Sequence, residues 1–128
     1  MSVLVDTSIW VDYFRNGDQE HKLDYLIDEN IVATNDLILA ELIPFLKIRK
    51  QKKVIELLRS IKNLELQINW EEIIEYQVKC LKKGVNGVGI PDLIIAQNAK
   101  QHACEIYSLD THFELLSKVS RIEINLSR

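Results

Sequence analysis

Cysteine is scarce in this 128-residue chain: Cys80 and Cys104 both lie inside apolar patterns, outside any CxxC or Cys/His spacing. That argues against a disulfide framework or a zinc site and for buried thiols in a reducing compartment. Long apolar runs are missing as well. Charges interrupt every hydrophobic stretch before it approaches the roughly 18 residues a membrane span requires. The opening Met1-Ser2-Val3-Leu4-Val5-Asp6 has no basic segment ahead of its apolar residues, so no secretory signal is read and a cytoplasmic location is expected. Four glycines and two prolines leave no Gly/Ser/Pro linker, and no internal repeat or low-complexity tract is present. The length suits one substantial core, which predicts a single domain over residues 1–128.

There is no overall excess of positive charge either: the formal net charge is −3, which alone argues weakly against a nucleic-acid partner. The average conceals a split. Residues 47–62 hold seven cations against one acid, a net of +6, leaving −9 for the remainder.

What the chain does contain is alternation. Val3-Leu4-Val5 is a short continuous apolar run closed by Asp6-Thr7-Ser8, the pattern of a buried parallel strand entering a helix cap. A helix carrying Ile9, Trp10, Tyr13 and Phe14 inward follows and stops at Asn16-Gly17. An amphipathic segment over His21 to Glu29 leads to a strand at Ile31-Val32-Ala33. Thr34 or Asn35 then caps a helix with Leu37, Ile38, Leu42 and Phe45 on its core side. Pro44 predicts a kink or break in that helix just after Glu41. The basic stretch continues as a helix with Val54, Leu57, Leu58 and Ile61 inward and its cations toward solvent.

Leu64-Glu65-Leu66 reads as a third strand, Asn69 as the cap of a helix over Trp70 to Lys82, and Gly84 to Ile90 as a glycine-rich loop. A helix beginning at Pro91 buries Leu93, Ile94, Ile95, Ala96 and Ala99. A fourth strand at Glu105 to Leu109, a helix around Phe113 to Leu116 and a last strand near Arg121 to Ile124 complete the chain. Strands alternating with helices predict an α/β fold with a parallel sheet, helices on both faces and a site at the carboxyl ends of the strands.

Four acids stand in unusual places. Asp6 and Asp110 each follow a buried strand, Asp92 follows Pro91 at a helix start, and Glu41 interrupts the apolar run Ile38 to Ile43. Singly, each has a plain structural role available: Asp92 complements a helix dipole, Asp6 and Asp110 cap helices, and Glu41 pairs with a base or reaches solvent. Jointly, one cause accounts for all four. Acids converging at a sheet edge repel one another unless a divalent cation offsets their charge. Hard oxygen ligands favour Mg²⁺ or Mn²⁺, one or two ions that could activate a water and offset charge on a phosphoryl group. Ser8 could orient a carboxylate or a bound water, although a helix-start hydroxyl is commonly just a cap.

Val3-Leu4-Val5-Asp6-Thr7-Ser8, Leu39-Ala40-Glu41-Leu42, Ile90-Pro91-Asp92-Leu93-Ile94-Ile95-Ala96 and Ser108-Leu109-Asp110-Thr111-His112-Phe113 resemble, in order and spacing, the PIN-domain ribonucleases, and among them the VapC toxins of bacterial and archaeal toxin–antitoxin pairs. The resemblance spans essentially the whole chain. It implies a PIN-like three-layer α/β/α domain whose central, mostly parallel sheet has four to five strands. It also implies Mg²⁺- or Mn²⁺-dependent cleavage of RNA that inhibits translation or growth, a homodimer, and a cognate antitoxin protein as partner. By motif position Asp6, Glu41, Asp92 and Asp110 would be the catalytic quartet. Asp6 and Asp92 would be direct metal ligands, Asp110 a ligand or orienter, and Glu41 a ligand or base.

Many relatives carry a further acid where this chain has His112, a departure that bears on a second metal position. His112 is an accessory candidate, as proton donor or ligand, although a lone histidine at a helix start is more often a surface or capping residue. Because an acidic pocket repels RNA, the exposed run Lys47, Arg49, Lys50, Lys52 and Lys53 is the candidate RNA-binding surface; its plain alternative is a solvated helix face. Three other readings compete, one of them a phosphatase with an Asp-x-Asp nucleophile motif, which Ser8 at the second aspartate position opposes. A receiver-type phosphoacceptor needs an acid pair after the first strand and an aspartate after the third, but Thr7 follows Asp6 and Gln67 follows Leu66. A PIN-like module that binds RNA or a partner without catalysis is the third.

Overall fold

Val3, Leu4 and Val5 are all buried, as befits a strand covered on both faces, and they form β1 (Val3–Val5). The computed structural model describes residues 2–16 and 21–120, with side chains through Lys118. After β1 come α1 (Thr7–Arg15), α2 (Lys22–Asp28), β2 (Val32–Thr34), α3 (Asp36–Ile48), α4 (Lys52–Ser60), β3 (Lys62–Asn63), α5 (Trp70–Lys82), α6 (Ile90–Gln101), β4 (Glu105–Tyr107) and α7 (His112–Ser120). The expected strand near Arg121 to Ile124 lies outside the described residues.

All strand pairings are parallel, in the order β3-β2-β1-β4. Leu4 sits opposite Ala33 on one side and Ile106 on the other, all three fully buried. Together with the seven helices among the described residues, this is the α/β/α arrangement expected. The order also locates the edge at which a ligand would be expected. The chain builds outward from β1 through β2 to β3, then returns to place β4 on the other side of β1. The connections therefore diverge between β1 and β4, and in open parallel sheets ligands bind at such a point, outside the carboxyl ends of the strands. Asp6 follows β1 and Asp110 follows β4, so both stand at that edge.

Three expectations shift. The third strand pairs at Lys62–Asn63, not at Leu64–Leu66. The ladder's neighbouring bond is Leu64 N–H to the Thr34 carbonyl (2.8 Å); beyond it the chain is claimed by α6. The Asn98 amide donates to the Glu65 carbonyl (3.0 Å) and, at 3.4 Å, to that of Leu64, and the Gln101 amide to that of Gln67 (2.8 Å). Asn98 in turn accepts from Asn35 (2.9 Å), whose own oxygen caps α3 at Ile38 N–H. A buried amide pair thus ties β2, α3 and α6 together.

Pro44 does not break α3, which runs unbroken to Ile48. Pro44 and Ala40 both lie on the exposed side, so the carbonyl that loses its donor is left to solvent, while buried Leu39, Leu42, Ile43 and Leu46 anchor the helix on either side. The break comes at Arg49 to Gln51, where Lys50 takes a left-handed φ of 56°. Phe45 and Leu57, expected inward, are 54% and 37% exposed.

Candidate functional site

Asp6 sits at the N-cap of α1, yet its carboxylate makes no capping bond to the helix. Instead Oδ2 accepts hydroxyl hydrogen bonds from Ser8 (2.9 Å) and Ser108 (2.8 Å). The residue is only 6% exposed, so this anion has been largely removed from water and held by two hydroxyls. The hydroxyls have second duties: Ser8 Oγ accepts Leu109 N–H (3.0 Å) and Ser108 Oγ accepts Asp110 N–H (2.9 Å). The loop after β4 is thereby fastened to the start of α1. Ser108 was not foreseen as a site residue. The signal was present in the sequence: Ser108-Leu109-Asp110 mirrors Asp6-Thr7-Ser8, a hydroxyl and an acid two residues apart after a buried strand.

Asp110 Oδ1 accepts the His112 backbone N–H (2.9 Å), so Asp110 does help open α7. The same oxygen lies 3.1 Å from His112 Nδ1, and that nitrogen is also 3.1 Å from Asp92 Oδ2. Asp92 stands in the first turn of α6, where its carboxylate accepts the Gly89 N–H (3.3 Å), the return half of a capping box. Burial pushes the Asp92 carboxyl above its usual range and the Asp110 charge adds to this; the Gly89 N–H and His112 pull the other way.

Glu41 is not buried in its apolar run. It occupies the exposed side of α3 beside Ala40 and accepts the Thr7 hydroxyl (2.9 Å). Its carboxyl is nonetheless raised, first by partial desolvation, against the pull of Thr7, and further by the charges of Asp6 and Asp92. Each of the four acids is therefore linked to another, through charge or through Ser108. Among the described residues, those with metal-ligand spacing are Asp92, Asp110 and His112, whose donor atoms lie within 4.8 Å of one another. Asp6 is not one of that trio; it stands beside it, coupled through Ser108 and the Asp110 backbone.

The basic residues are elsewhere. Lys47, Arg49, Lys50, Lys52 and Lys53 are all exposed at the corner between α3 and α4, and Arg49 stacks over the Phe45 ring at 4.7 Å. A cleft of about 490 Å³ between α1 and α3 joins this corner to the acids, with Thr7 and Glu41 at one end, Arg15 and Arg49 in its lining, and Val11, Phe14, Phe45 and Leu46 as apolar walls. Two carboxylates, an imidazole and two further acids at a sheet edge suit a hard-to-borderline divalent cation, and the mutual repulsion that adds to burial in raising Asp92 and Glu41 is what such an ion would relieve.

Residues 3–119 match the profile of the PIN domain. No curated protein matches the sequence. Among solved structures, a chain of VapBC2 from Rickettsia felis, crystallised with a DNA fragment from its promoter, superposes with a TM-score of 0.73 at 20% identity, covering 99% of this chain and 98% of that one. A chain of DNA-bound VapBC from Salmonella typhimurium gives 0.75 at 18% identity, with 99% and 97% covered. FitAcB from Neisseria gonorrhoeae gives 0.64 at 20%, with 98% and 96% covered. At such identities these likenesses establish the fold.

Proposed function

Because the chain belongs to the PIN domain family, we propose that it is a divalent-metal-dependent endoribonuclease, the VapC-like toxin of a toxin–antitoxin pair, restraining translation or growth in the cytoplasm. The observation that carries this reading is the meeting of Asp92, Asp110 and His112 within 4.8 Å at the strand edge where Asp6 also lies.

Asp92 and Asp110 would hold Mg²⁺ or Mn²⁺, with Asp6 beside them. When bound, the ion supplies a Lewis acid that activates water and offsets charge on the phosphodiester. The protein's part is positioning. Ser8 and Ser108 fix the Asp6 carboxylate, so it need not reorganise when substrate arrives. Glu41, raised above the ordinary carboxylate range and steadied by Thr7, is placed to take a proton on its carboxylate from the attacking water. His112 is the available proton source for the leaving oxygen unless it is occupied as a ligand.

The binding surfaces follow from charge and shape. The Lys47 to Lys53 corner draws in RNA phosphates, which the acids alone would repel. The cleft between α1 and α3 suits an antitoxin segment with apolar side chains for its walls and acidic ones for Arg15 and Arg49. Trp70, Ile74, Val78 and Leu81, exposed along one side of α5, are the face for a second copy in a homodimer. The competing reading, a PIN-like module without catalysis, draws on His112 standing where many relatives have an acid.

The test is incubation of purified protein with structured RNAs, with and without Mg²⁺ or Mn²⁺, beside Asp6→Asn. Cleavage that needs the ion and falls by about 100-fold or more in Asp6→Asn supports the nuclease. Binding without cleavage supports the inactive module, and undiminished cleavage by a folded Asp6→Asn protein removes Asp6 from the site.

A further inference from the structure

Resting on the reading that this site holds a divalent ion, we propose that His112 is itself a ligand through Nδ1 and that it sets the site's preference for Mn²⁺ over Mg²⁺. The geometry is specific. One ring nitrogen, not two, faces the acids, and it stands at 3.1 Å from a carboxylate oxygen of each of Asp92 and Asp110. Asp92 lies in α6 and Asp110 in the loop between β4 and α7, so the imidazole, at the start of α7, bridges two parts of the fold at the point where their carboxylates converge. The His112 side chain is 32% exposed and those of Asp92 and Asp110 are 21% and 33% exposed, so the cluster opens to solvent.

The other edge of the ring is also defined. Gly87, at φ +92°, passes so close that a Cβ there would lie 3.4 Å from Nε2. The glycine loop therefore runs along the ring edge away from the acids, where a larger residue would meet Nε2, and Nδ1 faces the acids. The turn bond to Asp110 is made by the backbone N–H, so capping does not require the ring.

The consequence is chemical. An acid at position 112 would complete an all-oxygen donor set with one more negative charge, the environment Mg²⁺ prefers. An imidazole removes that charge and supplies a nitrogen. Mg²⁺ gains little from nitrogen, whereas Mn²⁺ accepts carboxylate and imidazole together. Of the two ions that the remaining acids suit, the nitrogen selects Mn²⁺.

Chelator-treated protein is titrated calorimetrically with MnCl₂ and MgCl₂, beside His112→Asp and His112→Gln, and the Mn²⁺ complex is examined by electron spin echo envelope modulation for coupling to ¹⁴N. The expected result is nitrogen modulation in the wild-type protein, lost in both variants, and a Mn²⁺-to-Mg²⁺ affinity ratio that falls at least about tenfold in His112→Asp, the scale on which even outer-shell partners alter metal affinity. The nitrogen signal is read on the wild-type protein, so it stands even if a variant fails to fold. Mn²⁺ bound without nitrogen modulation, or with an unchanged ratio, overturns the role of His112 while leaving the metal site intact. Failure of either ion to bind the wild-type protein overturns the metal-site reading and this inference with it.

Discussion

Glu41 shows the stability cost that a side chain proposed for chemistry carries in this fold. Its carboxyl is raised mainly by partial desolvation, with Asp6 and Asp92 adding repulsion and Thr7 opposing. A carboxyl whose folded pKa lies above its unfolded one favours folding in its protonated form. That contribution is complete below the ordinary carboxylate range and is lost as pH rises through the raised value, so at pH 7 ionised Glu41 weighs against the metal-free fold. Glu41→Gln keeps an oxygen for the Thr7 hydroxyl and removes the charge. The metal-free variant should melt at a higher temperature than the wild type at pH 7 and at the same temperature near pH 4, while RNA cleavage is lost; thermal melts at the two pH values check this. A variant melting lower at pH 7 would show that the ionised carboxylate is favourably placed instead. The acids themselves were legible in the sequence because each breaks a local rule of placement. Their holders were less so: Ser108 and Thr7 are ordinary residues at strand and helix ends, and a lone hydroxyl does not itself say which anion, 102 residues away for Ser108 and 34 for Thr7, it will meet.

At the level of elements, helix α3 carries Glu41 toward the site and the basic corner away from it, and its continuity through Pro44 is what keeps them on one rigid body. Reading the sequence for a break at Pro44 overestimated the proline and underestimated the burial around it. A proline inside a helix costs about 3 kcal/mol through its missing donor and its ring clash. Leu39, Leu42, Ile43 and Leu46, all nearly fully buried, offset that. Pro44→Ala should therefore stabilise the protein, by about 2 kcal/mol once the lost stiffening of the unfolded chain is deducted, as read from urea denaturation. A neutral or destabilising result would mean that the ring of Pro44 contributes packing or rigidity that outweighs its lost hydrogen bond. The same competition explains β3. Period and composition marked a strand near residue 64, but its boundary was decided by Asn98 and Gln101 on α6, whose amides capture the carbonyls of Leu64, Glu65 and Gln67. Local pattern identifies elements; where they stop depends on partners distant in sequence.

For the molecule as a whole, alternation of strand and helix sufficed to place the strand-end edge where the acids gather, because a parallel sheet built outward from β1 must switch direction beside it. The outward-facing surfaces were not readable in the same way, since an apolar residue at helical spacing looks alike whether it faces the core or a partner. On α5 the two faces separate only in three dimensions. Ile73, Tyr76 and Cys80 point inward and are buried, while Trp70, Ile74, Val78 and Leu81 are 57%, 54%, 43% and 70% exposed. Four large apolar side chains at spacings of four, four and three form one stripe along a helix, more than the scattered surface apolar residues a monomer ordinarily shows. If that stripe is the homodimer face, charge placed in it should separate the copies without unfolding either, because the altered side chains are already in contact with water in the single chain. The double variant Ile74→Glu, Leu81→Glu should elute as a monomer in size-exclusion chromatography with light scattering, at concentrations where the wild type is a dimer, and retain the wild-type circular dichroism spectrum. A variant that stays dimeric moves the interface off α5, and one that loses its helical signal shows that the stripe is needed for folding.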